Sequence, residues 1–308
     1  MQKRVFKSAH VLRTPPSALE LLVATSTWSV LALTPWWLTA LIDSLTYDAL
    51  DLFHVGAAPS VGSTSSNTPL AFWGWMAMAC MLEVPGNFLM LRSIRSTDLS
   101  IFGPLNSYKP IVGMILGWWL LSEIPTYLGI VGVGIVLVGS ILLSGYRPKN
   151  KKFPSSGAYL VGLQNRGVRD RLLAVVLTAS GSVFLKLGMQ DVDPITSLAV
   201  WSLLSWVLAM VGLLVESAYQ RRPFLARTLA FVSRREVILI AVSMLIMQGT
   251  TIALFQRMAI GYALALFQLG SLLNVYLGYR LFGEPDFKRR LIGAAIMFFG
   301  AVLIMLLG

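Results

Sequence analysis

The chain has 308 residues, of which 56% are hydrophobic and only 13% charged, with a mean hydropathy of +0.72. Soluble domains carry about a quarter of their residues as Asp, Glu, Lys and Arg, so the composition excludes a water-soluble globule. The net charge of +11 follows membrane topology rather than clustering on a binding face, so no nucleic-acid partner is expected.

The chain opens with MQKRVFKSAHVLRTPP. This stretch is basic and polar and lacks an apolar core followed by a small-residue cleavage site. Residues 1–17 therefore read as a cytoplasmic segment and not as a cleaved leader. A helix crosses a bilayer with about 20 apolar residues. Apolar runs of that kind lie near 18–42, 70–91, 99–121, 127–145, 172–189, 195–216, 236–256, 262–282 and 290–307. The stretch 43–69 holds Asp43, Asp48, Asp51 and the run GSTSSNTP. It reads as a polar loop outside the membrane, with room for one interfacial helix around Leu45–Val55. The fold class expected is an all-α polytopic membrane protein of about nine transmembrane helices in two inverted-repeat bundles, four plus five. The first repeat is 18–145, the basic cytoplasmic linker 146–171, and the second repeat 172–308.

The loop charges test that reading independently. Of the 25 Lys and Arg, 22 fall in alternate loops: 1–17, 92–95, 146–171, 217–236 and 280–290. The intervening loops carry only Arg257, beside Asp43, Asp48, Asp51, Glu123, Asp191 and Asp193. By the positive-inside rule the N-terminus is cytoplasmic and the C-terminus outside, in a cell membrane (inner or plasma).

Two stretches read alike: KPIVGMILGWWLLSEIPTYLGIVGVGIVLVG at 109–139 and GSLLNVYLGYRLFGEPDFKRRLIGAAIMFFG at 270–300. Glu123 matches Glu284, Gly132 matches Gly293 and Gly139 matches Gly300, at a constant offset of 161. Each copy has a helix, a Glu-bearing turn, and a helix whose two glycines lie one heptad apart, a spacing that allows close backbone contact in lipid. The turn at Glu123 has no cation, whereas Lys288, Arg289 and Arg290 follow Glu284. The copies therefore face opposite sides of the membrane, as inverted repeats do.

The patterns YKPIVGMILGWWLLSE and FQLGSLLNVYLGYRLFGE, each followed by a glycine-rich helix, resemble the EamA-type drug/metabolite transporter superfamily over roughly 70–145 and 172–308. The resemblance implies five helices per half around a central cavity, and export or exchange of a small organic solute. Here the first half departs from that pattern. Segment 18–42 matches 195–216, the second helix of a half, so the family's first helix is missing from this reading.

Ionisable groups within a bilayer are costly and usually face a cavity or pair with each other. Glu83 with Asn87, and Lys109 with Asn106, are candidates to line the cavity, with a packing-only Glu83–Lys109 ion pair as the alternative. Lys186 either joins the cavity or snorkels to the interface. Gln248, Gln268, Ser271 and Asn274, with Thr251, form a polar set in the second half, where helix-to-helix hydrogen bonding is the alternative for each. Glu123 and Glu284 sit in turns and read as capping groups. Trp36, Trp37, Trp73, Trp75, Trp118 and Trp119 suit an interfacial belt, and Trp201 and Trp206 lie deeper, as core packing would place them.

No catalytic pattern is present. The only histidines are His10 and His54, and the single cysteine, Cys80, excludes an intramolecular disulfide. There is no HExxH, Walker or GxSxG motif, so neither an enzyme nor an ATP-driven pump is expected, with no metal and no cofactor. The reading is a secondary transporter, with proton coupling an option through Glu83; its partners are a small-molecule substrate and the lipid bilayer, and a homodimer is compatible. The rival readings are a non-transporting membrane accessory or assembly protein and, behind it, a membrane-embedded lipid-modifying enzyme.

Overall fold

A computed structural model describes residues 17–52, 70–96, 105–106, 108–144, 166–190, 192–220, 228–230, 232–270 and 287–307. The elements are α1 (Ala18–Ala32), α2 (Thr34–Leu52), α3 (Leu70–Ser96), α4 (Lys109–Leu121), α5 (Tyr127–Ser144), α6 (Arg166–Gly188), α7 (Pro194–Gln220), α8 (Arg235–Arg257), α9 (Ile260–Leu266), a 3-10 turn (Phe267–Leu269) and α10 (Phe287–Leu307). Helices are the only regular structure among the described residues. Within α3, α6, α7 and α8 lie stretches long and apolar enough to cross a membrane, and the α1–α2 pair passes the same test as one bent span.

That bend corrects the sequence reading. The run 18–42 is not one straight helix: its arms meet at 76°, and the second arm reaches Leu52, so 43–52 continue a helix instead of forming a loop. The cause is Pro35, which has no N–H to continue the ladder. The carbonyls it strands find side-chain donors: Thr34 Oγ1 donates to Val30 O and Leu31 O at 3.1 and 2.9 Å, and Trp37 Nε1 donates to Val30 O at 3.1 Å. Residues 53–69 lie outside the described residues.

The segment expected at 99–121 is also interrupted. Its described helix begins at Lys109, with Pro110 in the first turn, where the missing N–H costs nothing. Lys109 is thus at a helix start and not in mid-helix. Of the segment expected at 262–282, only the part through Gly270 is described.

The chain forms two compact units, each drawing on both halves of the sequence: 1–84 with 184–256, and 85–183 with 257–308. In the first unit α1 packs on α7 in antiparallel sense. Ser17 Oγ donates to Glu216 Oε2 (3.1 Å), Leu19 lies over Gly212, and Trp206 Nε1 donates to Thr27 Oγ1 (3.0 Å). Ser17 and Glu20 form a full capping box at the start of α1, satisfying two otherwise unpaired amides. Val23, Val84, Ala209 and Leu213 form the core between them.

In the second unit α5 packs on α10, also antiparallel, with glycines at the seam. A Cβ at Gly132 would meet Gly300 O at 3.1 Å, and one at Gly139 would meet Gly293 O at 2.8 Å. This is the close backbone approach that the heptad-spaced glycines call for. Tyr262, Val136, Met297 and Ile304 fill the core beside it. Arg92 pairs with Asp170 at 3.0 Å, joining α3 to α6.

Glu123 behaves as its position in a turn suggests. Ala259, which precedes α9, gives no side-chain cap, and the Ile260 N–H instead donates to Glu123 Oε2 at 2.8 Å. Losing that acceptor leaves a part-buried amide unpaired, at a cost of about 1–3 kcal/mol. Glu123→Ala is expected to lower the thermal unfolding midpoint in detergent, and Glu123→Gln, which keeps an acceptor oxygen, to lower it less. Equal midpoints for wild type and Glu123→Ala would rule the cap out as a support. Glu284 lies outside the described residues.

Candidate functional site

The candidate site is built at the C-terminal ends of α6 and α8, both inside the first unit. α6 delivers Lys186 one turn from its end, and the chain turns there through Met189 and Gln190. Gly188 lets α6 lie close to α3: a Cβ there would meet Met76 Cε at 2.8 Å. Trp75 and Phe184 stack with ring centroids 5.9 Å apart, fixing the rotation of α6 in this unit. α8 contributes Phe255 and Gln256. Together Lys186, Met189, Gln190, Phe255 and Gln256 line a cavity of about 370 Å³.

The chemistry of that lining is specific in kind. An ammonium group attracts a carboxylate or phosphate, the two primary amides both donate and accept, and Met189 and Phe255 give an apolar wall. The volume lies within the range of small-molecule pockets. Lys186 lies in the last turn of α6 and lines this cavity. Gln190 and Gln256 were not candidates from the sequence, because nothing periodic links two amides at the ends of helices so far apart in the chain.

The other candidates are distributed. Glu83 is on α3 in the first unit and only 9% exposed, one turn beyond the buried Cys80. Gln248, on α8 in the same unit, is half-buried, and its amide oxygen is buried with no hydrogen-bond partner among the described residues. Asn87, Asn106, Lys109 and Gln268 belong to the second unit. There Gln268, in the 3-10 turn after α9, donates from Nε2 to the backbone carbonyl of Asn106 at 3.1 Å, so this contact is helix-to-helix hydrogen bonding. Thr251 donates to Met247 O within its own helix. Ser271 and Asn274 lie outside the described residues.

The helical architecture, the glycine seam and the Glu123 turn coincide with a match to a family model, described as the EamA-like transporter family, over residues 17–145. Residues 17–145 belong to the EamA-like transporter family. The EamA match spans the first of the two repeats read from the sequence, and with the apolar helices it supports an integral membrane protein. A search of curated proteins gave no match. A solved structure described only as the crystal structure of a protein is similar with a TM-score of 0.54 and 16% identity, covering 94% of each chain. At that identity the likeness speaks for the fold alone.

Proposed function

We propose that this EamA-type protein is a secondary transporter that moves a small organic metabolite across the membrane by alternating access between two inverted repeats, exporting or exchanging it, with a proton as the coupling ion. One observation carries the reading. Helices paired as repeat mates by sequence, 18–42 with 195–216 and 127–145 with 290–307, are the ones that pack antiparallel on each other, one pair in each unit. Gly132 meets Gly300 while their mates Gly293 and Gly139 meet each other. A contact that maps onto itself under the repeat is what a two-fold axis in the membrane plane produces.

The test is solute movement in proteoliposomes loaded with candidate metabolites and given a proton gradient. Gradient-dependent flux absent from empty vesicles supports the reading. Ligand binding without flux under either gradient would replace it with a non-transporting role.

Orientation follows from the charges: the N-terminus is cytoplasmic and 43–69 external. A cysteine at Ser65, in a variant lacking Cys80, should react with an impermeant maleimide in intact cells. Labelling only after permeabilisation would reverse that orientation.

A further inference from the structure

Hydroxyl groups on helices in lipid normally bond back to the preceding turn. Thr25, Ser182 and Ser243 do so here, each donating to the carbonyl four residues earlier at 2.8–2.9 Å. Ser197, near the start of α7, does not. It is fully buried, and its Oγ has no hydrogen-bond partner among the described residues. One turn on, Trp201 is 6% exposed, and its indole Nε1 is buried and likewise without a partner. On α3 the Nε1 of Trp73 is in the same condition. A buried polar group left unpaired is costly, so three on facing helices call for a partner.

Contacts inside the first unit place these groups together. Cys80 Sγ lies 3.6 Å from Trp201 O and 3.3 Å from Ser205 Oγ. One turn further along, Val84 shares a core with Ala209 and Leu213. The two helices therefore run in the same direction. Trp73 stands seven residues before Cys80, on the same face, about 10 Å back along α3. The same step back from Ser205 reaches Leu198, beside Ser197, and Ser197, Trp201 and Ser205 share a face of α7 at four-residue spacing. Polar groups deeper on α7 are already paired, Ser205 with Cys80 and Trp206 with Thr27. Partners run out only toward the start of the helix. Ser202 is also buried and without a partner, but it shares the Trp206 face of α7, which is turned toward α1.

Indole N–H groups donate and cannot accept, and a serine hydroxyl donates as well. A ligand that satisfies all three must bring acceptor oxygens. We propose that the start of α7 and the facing part of α3 bind the carboxylate of a small organic acid, held by the donors of Trp73, Ser197 and Trp201. This deepens the transporter reading and rests on it only for the purpose of the site.

The test uses the full chain purified in detergent, with benzoate as the probe and benzylamine as its cationic counterpart. Benzoate, and not benzylamine, should raise the unfolding midpoint of wild type and of Ser202→Ala. Ser197→Ala and Trp201→Phe should each weaken benzoate binding at least tenfold. Without benzoate, Ser197→Ala should unfold no earlier than wild type, since it removes an unpaired buried hydroxyl. Equal stabilisation by benzylamine, no shift with benzoate, or an undiminished shift in both site variants would overturn the proposal. Proteoliposomes separate the two readings. Benzoate bound through these residues but never moved would overturn transport and keep the site. Radiolabelled benzoate moved equally by wild type and both site variants would overturn the site and keep transport.

Discussion

Gly139→Leu should leave far less folded protein than wild type, and what remains should unfold earlier in detergent. A Cβ at Gly139 would lie 2.5 Å from Met297 Cγ and 2.8 Å from both Gly293 O and Met297 N. Two of those three atoms are backbone, so no rotamer change relieves the contact and α5 must move off α10. Overpacking of this kind costs about 1–3 kcal/mol when side chains can give, and more when they cannot. Gly132→Leu meets Ile304 Cγ1 at 2.7 Å as well as Gly300 O at 3.1 Å and should follow closely. Ile130→Leu, at a position 46% exposed, and Gly134→Ala, where a Cβ meets nothing within 4 Å, are the controls. Gly134→Ala should be neutral or stabilising, by up to about 1 kcal/mol of helix propensity. Size-exclusion profiles and thermal midpoints check the order; equal, small effects at all four positions would mean that the α5–α10 seam does not hold the unit.

Glu83→Gln and Lys109→Met should each reduce flux in proteoliposomes to the level of empty vesicles while the protein still folds. Glu83 is a carboxylate only 9% exposed within a span, and glutamine keeps its shape while removing proton exchange. Lys109, half-buried, opens α4 ahead of Pro110, where a cation sits against the helix dipole. The double variant Glu83→Met with Lys109→Met decides between roles. Restored flux would mean that the two charges only offset one another; persistent loss keeps both in the transport cycle.

Much of this architecture was legible from residue order. Of the nine apolar runs, those in α3, α6, α7 and α8 are spans by length and apolarity among the described residues, and 18–42 is one only as a bent pair, because lipid demands length and hydrophobicity together. The glycine pairs pointed to close helix packing, expected within each half or against a second protomer; the partner they find is the other repeat's glycine helix, which spacing alone does not name. Glu123 read as a cap and is one. The bend at Leu33 was not legible, since apolarity runs unbroken through Pro35 and the decision lies in Thr34 and Trp37 capturing stranded carbonyls. Lys109 was set at mid-depth by counting along a helix that Lys109 in fact begins. The cavity at Lys186 depends on Gln190 and Gln256, brought together only by tertiary packing. Trp201 read as core filling, and burial bears that out; its unpaired N–H is a property of three-dimensional surroundings that no spacing encodes.

The division between the two compact units has a mechanical consequence. The chain passes from one unit to the other after Val84, Val183 and Gln256, and the first two passages lie well inside α3 and α6. Those two passages therefore run through continuous helix and not through a connecting loop. The two helices are unequally stiff at those points. In α3 the first residue beyond the passage is Pro85, whose missing amide breaks the ladder and lowers the local resistance to flexing. In α6 the passage falls after Val183, with an uninterrupted helix around it. Of the two passages, the one in α3 bends more readily, at Pro85, than the one in α6.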